Sequence, residues 1–412
     1  MPALSVHEAA RAAAVRAASP TAAEAAAQAA RELAVASAQL PDPVLRLSLD
    51  NVPVDGPDAF STTRDFMTQR SVSLMQTFTR EDKRNARVDR FRREADAAQA
   101  ERRVRIAAVQ REAAIAWFER RAAEQRLALL RVQREEARLQ IEAAEAALRA
   151  GHGSAADTIG ARDALAQIDQ AELAARAELA NTRRMLARWT GGPDEQPLAA
   201  APKLERHAFV VHDLADRLQQ HPDLVQLAAR EAVAASEADI ARAEREPDWT
   251  AELMYSLRGS RYSNMMSVAI SVPLPWDRPQ RQDRELAARL AQAEALRAER
   301  VELGRDQLAR TQVWIEAWRA GLARLALIDL EREPLARQRV DAALGAYRGG
   351  SAALAAVLEA RRAVLALGMD RIDVELETAR LWARLEFLIP DPDTRAVPAP
   401  AVPAAATSEA SR

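Results

Sequence analysis

From Arg80 to Ala150 the chain contains neither glycine nor proline. At ~1.5 Å per residue, one unbroken α-helix over that stretch is on the order of 100 Å long. Globular domains rarely hold such a helix, because their helices are much shorter. A rod of this kind needs partners along its whole apolar stripe, and its two ends decide what it connects. The stripe is present: Leu127, Leu130, Ala137, Ile141, Ala144 and Leu148 recur at spacings of three, four and seven. Alanine at many of these positions lets helices approach closely. The Arg and Glu residues between them read as a solvated face with i,i+4 pairs.

Composition narrows the choice of fold. Aromatics make up 4% of the 412 residues and charged residues 29%, with a formal net charge of -2. That mixture describes long helices with a wet surface, not a thick globular core. It has no basic patch of the kind nucleic-acid binding requires. Cysteine is absent, which excludes disulfides, thiolate metal sites and a lipidated cysteine in this sequence. No run of about 18 apolar residues predicts a transmembrane helix. The start, MPALSVHEAARAAAV, lacks the basic region and apolar stretch of a signal peptide.

The hydrophobic period changes along the chain. Residues 5–39 read as Ala-rich helix with a break at Pro20. After Pro41-Asp42-Pro43 the period becomes two, with Leu45, Leu47 and Leu49 alternating with Arg46, Ser48 and Asp50. A second such run leads from Ser71 to Phe78. Later in the chain the same order returns. His221-Pro222 opens a helix, Pro247-Asp248 stops it, and Leu253, Tyr255 and Leu257 alternate with Glu252 and Ser256, then Met266, Val268 and Ile270 with Ser267, Ala269 and Ser271. A second long helix then starts near Arg278. It is punctuated by Gly304, Gly321 and Pro334, and a Gly-Gly-Ser turn follows it.

The chain therefore divides into two repeats and a tail. Repeat 1 (1–207) holds strands at about 43–50 and 70–79, the helix 80–150, a turn at 151–154, a helix 155–190 and a linker. Repeat 2 (208–389) holds a helix 222–246, strands at about 250–258 and 265–273, a helix 278–346, a turn at 347–351 and a helix 352–387. Residues 390–412, rich in proline and alanine, read as disordered. The predicted fold class is mainly α with a small β part. Short strands that are apolar on one face and small or polar on the other suit an outer-membrane barrel. Four strands enclose no lumen, so several chains must combine; three would give twelve strands.

No enzyme constellation is visible: there is no phosphate loop, no zinc-protease helix and no nucleophile elbow. The histidines are scattered. His207 and His212, five apart beside the linker, are weak metal candidates, and His221 before Pro222 reads as shaping a helix start. We expect no enzyme activity, no cofactor and no resident metal.

Several stretches taken together resemble a known family. They are PDPVLRLSLDNVPVDG (41–56), SVSLMQTFTREDKR (71–84), HPDL (221–224), ARAEREPDW (241–249) and VAISVPLPWDRPQR (268–281). In order, spacing and duplication they are similar to the TolC family of outer-membrane efflux proteins. In detail they are similar to its heavy-metal cation-efflux (CzcC/CusC-like) branch. The resemblance implies a homotrimer with a twelve-stranded barrel in outer-membrane lipid and a helical barrel in the periplasm. It implies docking to a periplasmic adaptor (membrane fusion protein) and an inner-membrane RND pump, with no nucleic acid involved.

By the same resemblance the turns Gly151, Gly153, Ser154 and Gly349, Gly350, Ser351 are adaptor-docking tips, and Gly153-Ser154 matches the second turn's Gly-Ser. Asp157, Tyr347 and Glu359 match gate positions. The family's gate arginine falls on Ala352, with Arg348 as a nearby substitute. Other readings are a soluble coiled-coil scaffold, a periplasmic adaptor, or a duct for organic compounds.

Overall fold

The computed structural model describes residues 2–151, 153–205 and 214–390. The proposed tail beyond 390 and both His207 and His212 lie outside these residues. The elements in chain order are α1 (Val6–Arg16), α2 (Ala18–Ser37), β1 (Val44–Asp50), β2 (Gln69–Phe78), α3 (Glu81–Arg149), α4 (Ala155–Thr190), α5 (Leu214–Leu218), α6 (Pro222–Ala243), β3 (Trp249–Leu257), β4 (Met265–Ser271), α7 (Gln282–Leu327), α8 (Glu333–Arg348) and α9 (Leu354–Glu386). A 3-10 turn, Arg278–Gln280, precedes α7, and a π-helical turn, Ile328–Arg332, joins α7 to α8.

Two expectations are corrected here. The early helix breaks at Ala17, not Pro20. Pro20 sits in the first turn of α2, where its missing N–H is an unused donor in any helix. The second long helix passes through Gly304 and Gly321 without interruption, and its one irregularity is the π turn. Pro334 lies in the first turn of α8, just beyond it. Proline removes a backbone donor, and a widened turn accommodates that loss.

The described residues form two compact units that cut across the sequence repeats: those within 21–102 and 223–304, and those within 2–20, 103–222 and 305–390.

The first unit carries the sheet. Four antiparallel strands lie in the order β1-β2-β3-β4. Register rows run straight across it: Leu47↔Val72↔Tyr255↔Met266 and Leu45↔Leu74↔Leu253↔Val268. Every residue in these two rows is exposed. The opposite face holds Ser48↔Ser71↔Ser256, and the Ser71 and Ser256 hydroxyls bond to each other at 2.8 Å while buried. The sheet thus exposes an apolar face and buries serines of β2 and β3 on the other, the inverse of a soluble sheet packed on a core. The β3–β4 turn presses on the β1–β2 loop. A Cβ on Gly259 would lie 1.9 Å from the Thr63 carbonyl oxygen, so only glycine fits there. In the same unit Glu24 accepts from Gln99 at 3.0 Å and pairs with Arg102 at 3.5 Å, tying α2 to α3.

The second unit has the larger core. Trp117, Phe118, Leu186, Ile372, Trp382 and Phe387 cluster with Val6, Ala9 and Ala10 of α1. Helix α1 is held by its own capping box, Ser5 with Glu8. A one-residue bridge, Leu4 against Leu198, docks the chain before it. The indole N–H of buried Trp117 donates to the Leu4 carbonyl at 2.8 Å, which satisfies the one polar atom of that side chain. Helices α7 and α9 approach closely at Gly321, where a Cβ would lie 2.3 Å from Thr378 Oγ1.

Candidate functional site

Among the described residues no group of His, Cys, Asp and Glu could hold a metal ion, and no helix is long and apolar enough to cross a membrane. A cavity of about 580 Å³ opens between α3, α8 and α9. On its rim Arg361 pairs with Glu136 at 2.6 Å and Arg371 with Asp329 at 2.6 Å. It offers packing space but no convergent reactive groups. The informative sites are the two helix-to-helix turns of the larger unit.

At the first tip, α3 ends in a glycine lock. Gly151 has φ +75, a left-handed conformation that costs glycine nothing. The Gly153 N–H reaches back to the Ala147 carbonyl at 3.1 Å, using a carbonyl the helix end would otherwise leave free. A Cβ on Gly153 would lie 2.9 Å from the Leu148 nitrogen. Ser154 then caps α4. Its hydroxyl accepts the Asp157 N–H at 3.1 Å, and the Asp157 carboxylate accepts the Ser154 N–H at 3.2 Å and its hydroxyl at 2.7 Å. Asp157 is therefore the reciprocal member of a capping box. Among the described residues it makes no bond to Tyr347.

The second tip uses the same backbone with different side chains. Gly350, at φ +73, takes the left-handed position, and the Ala352 N–H reaches back to Ala346 at 3.2 Å. The bonds Gly153 to Ala147 and Ala352 to Ala346 correspond. Gly350 therefore matches Gly151, and Ala353 matches Ser154. This shifts the sequence alignment of the turns: Ser351 is not the cap, and its hydroxyl donates to the Ala346 carbonyl at 3.0 Å. Gly349 keeps a helical φ of -76 as the C-cap of α8. Ala353 caps α9 with no side-chain bond. The start of α4 is thus capped by two reciprocal side chains and the start of α9 by none.

Between them lies an apolar knot drawn from all four helices: Ala144, Ala161, Leu354 and Val357, with half-buried Tyr347 against them. Tyr347 is thus placed by packing. Arg348 is exposed. Glu359, also exposed, pairs with Arg339 at 3.5 Å. Arg162 pairs with Glu145 at 2.8 Å, joining α3 to α4 just inside the first turn. Sequence reasoning passed over Glu145 and Arg162; their signal is opposite charges facing each other across one glycine turn.

Farther from the turns, Glu172 of α4 is buried among Arg131 at 3.5 Å, Arg134 at 3.5 Å and Arg176 at 2.7 Å. Burial alone would raise its pKa. The hydrogen bond and charge of Arg176, with Arg134 and Arg131, outweigh burial and hold it below the usual carboxylate value.

Compared by sequence, the chain matches no protein-family model and no curated protein. Compared by structure, it matches several solved channels. VceC, an outer membrane protein of Vibrio cholerae, is 18% identical with a TM-score of 0.74, over 93% of this chain and 95% of that one. CusC, described for its transmembrane channel formation, is 15% identical with a TM-score of 0.79, over 93% and 91%. The CmeC outer membrane channel of Campylobacter jejuni is 13% identical with a TM-score of 0.72, over 93% and 85%. At such identities the likeness establishes a shared fold of long helices and one four-stranded sheet.

Proposed function

We propose that this chain is one protomer of an outer-membrane exit duct in a tripartite efflux system, and not an enzyme. The observation that carries this reading is the sheet's exposed apolar face, rowed Leu47, Val72, Tyr255 and Met266. In water such a face is a liability. Against lipid it is the stable arrangement, provided every strand edge is paired. Strands β1 and β4 end the strand order with free edges, so copies of the chain must close the sheet. Three copies supply twelve strands, within the range of membrane barrels. The helices then wall a periplasmic conduit through which substrate diffuses. An inner-membrane RND pump supplies the energy and a periplasmic adaptor joins the two.

The tips are our candidate for the adaptor contact and the closed end. The gate group is Asp157, Tyr347, Arg348 and Glu359, with docking at Gly151, Gly153, Ser154, Gly349, Gly350 and Ser351. A ring of Glu359 carboxylates from three copies would concentrate cations by focusing potential. The cargo we assign is heavy-metal cations. The support is the likeness of 41–56 and 268–281 to the metal-efflux branch.

Fractionation tests the duct: we expect heat-resistant trimers in the outer membrane. A wholly soluble monomer or dimer would instead identify a coiled-coil scaffold. Cells lacking the protein should become sensitive to divalent metals; sensitivity to organic compounds alone would reassign the cargo.

A further inference from the structure

We propose that Trp276, with Leu274, seats in the headgroup layer of the membrane leaflet that faces the helices, and so fixes how deeply the sheet sits. This rests on the outer-membrane reading above.

A membrane-spanning strand needs about 9–11 residues. β2 has 10 and β3 has 9, but the edge strands β1 and β4 have only 7 each. The apolar pattern of β4 does not stop where its pairing stops. Met266, Val268, Ile270, Val272, Leu274 and Trp276 occupy every second position, separated by Ser267, Ala269, Ser271, Pro273 and Pro275. At ~3.3 Å per residue a fully extended stretch of this length reaches at most roughly 33 Å. Tilted by ~45°, it covers about 23 Å along the membrane normal, close to the ~25 Å apolar band of outer-membrane barrels. Beyond Ser271 the chain leaves the ladder, where Pro273 and Pro275 lack an N–H, and it turns at Trp276.

Trp276 is 94% exposed and Leu274 77%, a large apolar surface for water to cover. The next residues are charged. Arg278 pairs with Glu246 at 3.8 Å and lies 3.9 Å from Asp283. An indole has an apolar body and one N–H donor, and such rings collect at membrane–water boundaries. Two more aromatics mark this end of the sheet. Phe78 and Trp249 oppose each other across β2 and β3, on the same face as Leu74 and Leu253, and stack at 4.2 Å and 12°. Thr250 pairs with Ser271, so Trp249 lies level with Val272. Trp276 lies four residues beyond Val272, past the end of the edge strand and on the side toward α7.

The test compares the full chain with its Trp276→Phe variant. Both are taken from the outer-membrane fraction and reconstituted in phosphatidylcholine vesicles brominated either near the glycerol end or near the methyl end. The emission difference isolates Trp276. We expect bromine near the glycerol end to quench that difference at least about twofold more than bromine near the methyl end, as interfacial placement requires. Stronger quenching from the methyl end would put the ring in the hydrocarbon core and overturn the proposal. No quenching by either lipid would overturn it too: resistance to aqueous iodide would place Trp276 against a second copy, and strong iodide quenching would place it in water or on a detachable partner. A chain that never reaches the membrane fraction would instead defeat the duct reading itself.

Discussion

Lys83 donates to Asp248 at 3.1 Å, and this nearly buried pair joins the first turn of α3 to the residue before β3. The other Asp248 oxygen accepts the Arg80 N–H at 3.1 Å, so the second repeat caps a helix of the first. Lys83 also donates to the Glu246 carbonyl at 3.3 Å. Lys83→Met leaves a partly buried carboxylate without its cation and should cost about 2 kcal/mol. Asp248→Asn should cost a similar amount. The double variant should lose clearly less than the sum, because neither charge is then stranded. Urea midpoints of the detergent-solubilised protein, followed by circular dichroism, measure all three. Additive losses would show that the pair carries no coupling.

Gly321 sets the separation of α7 and α9. Gly321→Ala places a methyl on Thr378 Oγ1, whose hydroxyl donates to the Val374 carbonyl at 2.7 Å within a buried turn. We expect a loss of about 1–3 kcal/mol, the usual cost of overpacking. Adding Thr378→Ala should recover most of it. If Gly321→Ala alone is neutral, the helices are not in tight contact there.

Cap and gate can be separated at the first tip. Ser154→Ala removes the cap and should cost about 1 kcal/mol, with faster amide exchange confined to the start of α4. Ala353→Ser should slow exchange at the start of α9, where a side-chain cap is absent. If Asp157 also closes a channel, Asp157→Ala should raise single-channel conductance in planar bilayers while Ser154→Ala leaves it unchanged. Equal conductance in both variants would reduce Asp157 to a cap.

Glu172 predicts an acid-sensitive step. Its pKa is lowered in the folded chain, so its stabilising contribution is complete above the ordinary carboxylate value of 4.5 and disappears as pH falls through the lower folded value. Glu172→Gln should flatten the dependence of the urea midpoint on pH below 4.5 and change little of its slope at neutral pH. An unchanged acid slope would assign the loss to other carboxylates.

The strands were legible because a period of two is hard to imitate: Leu45, Leu47 and Leu49 against Arg46, Ser48 and Asp50 admit one reading of which side is apolar. The continuity of α3 followed from the missing breakers. Glycine and proline punctuation misled elsewhere, since Pro20 fits a first turn and Gly321 serves contact, not termination. The tips were misaligned because Gly-Ser was matched as letters. The structure aligns backbone positions, and Gly350, not Gly349, takes the positive φ. Knots such as Tyr347 on Ala144 and Val357 join residues far apart in the chain, and periodicity within one helix carries no information about them.

The π turn at Ile328–Arg332 has a further consequence for register. A π turn holds an extra residue, and at 3.6 residues per turn one residue is worth about 100° of rotation. The faces that α8 presents are therefore turned by about that angle from those an uninterrupted α7 would have offered. Among the described residues only the second long helix carries this phase step; α3 runs past the same neighbour, α9, without one. The two long helices thus bring differently phased surfaces to their tips. Deleting one residue from this turn would remove the step and rotate the whole second tip, including Tyr347 and Glu359, while altering no residue in it.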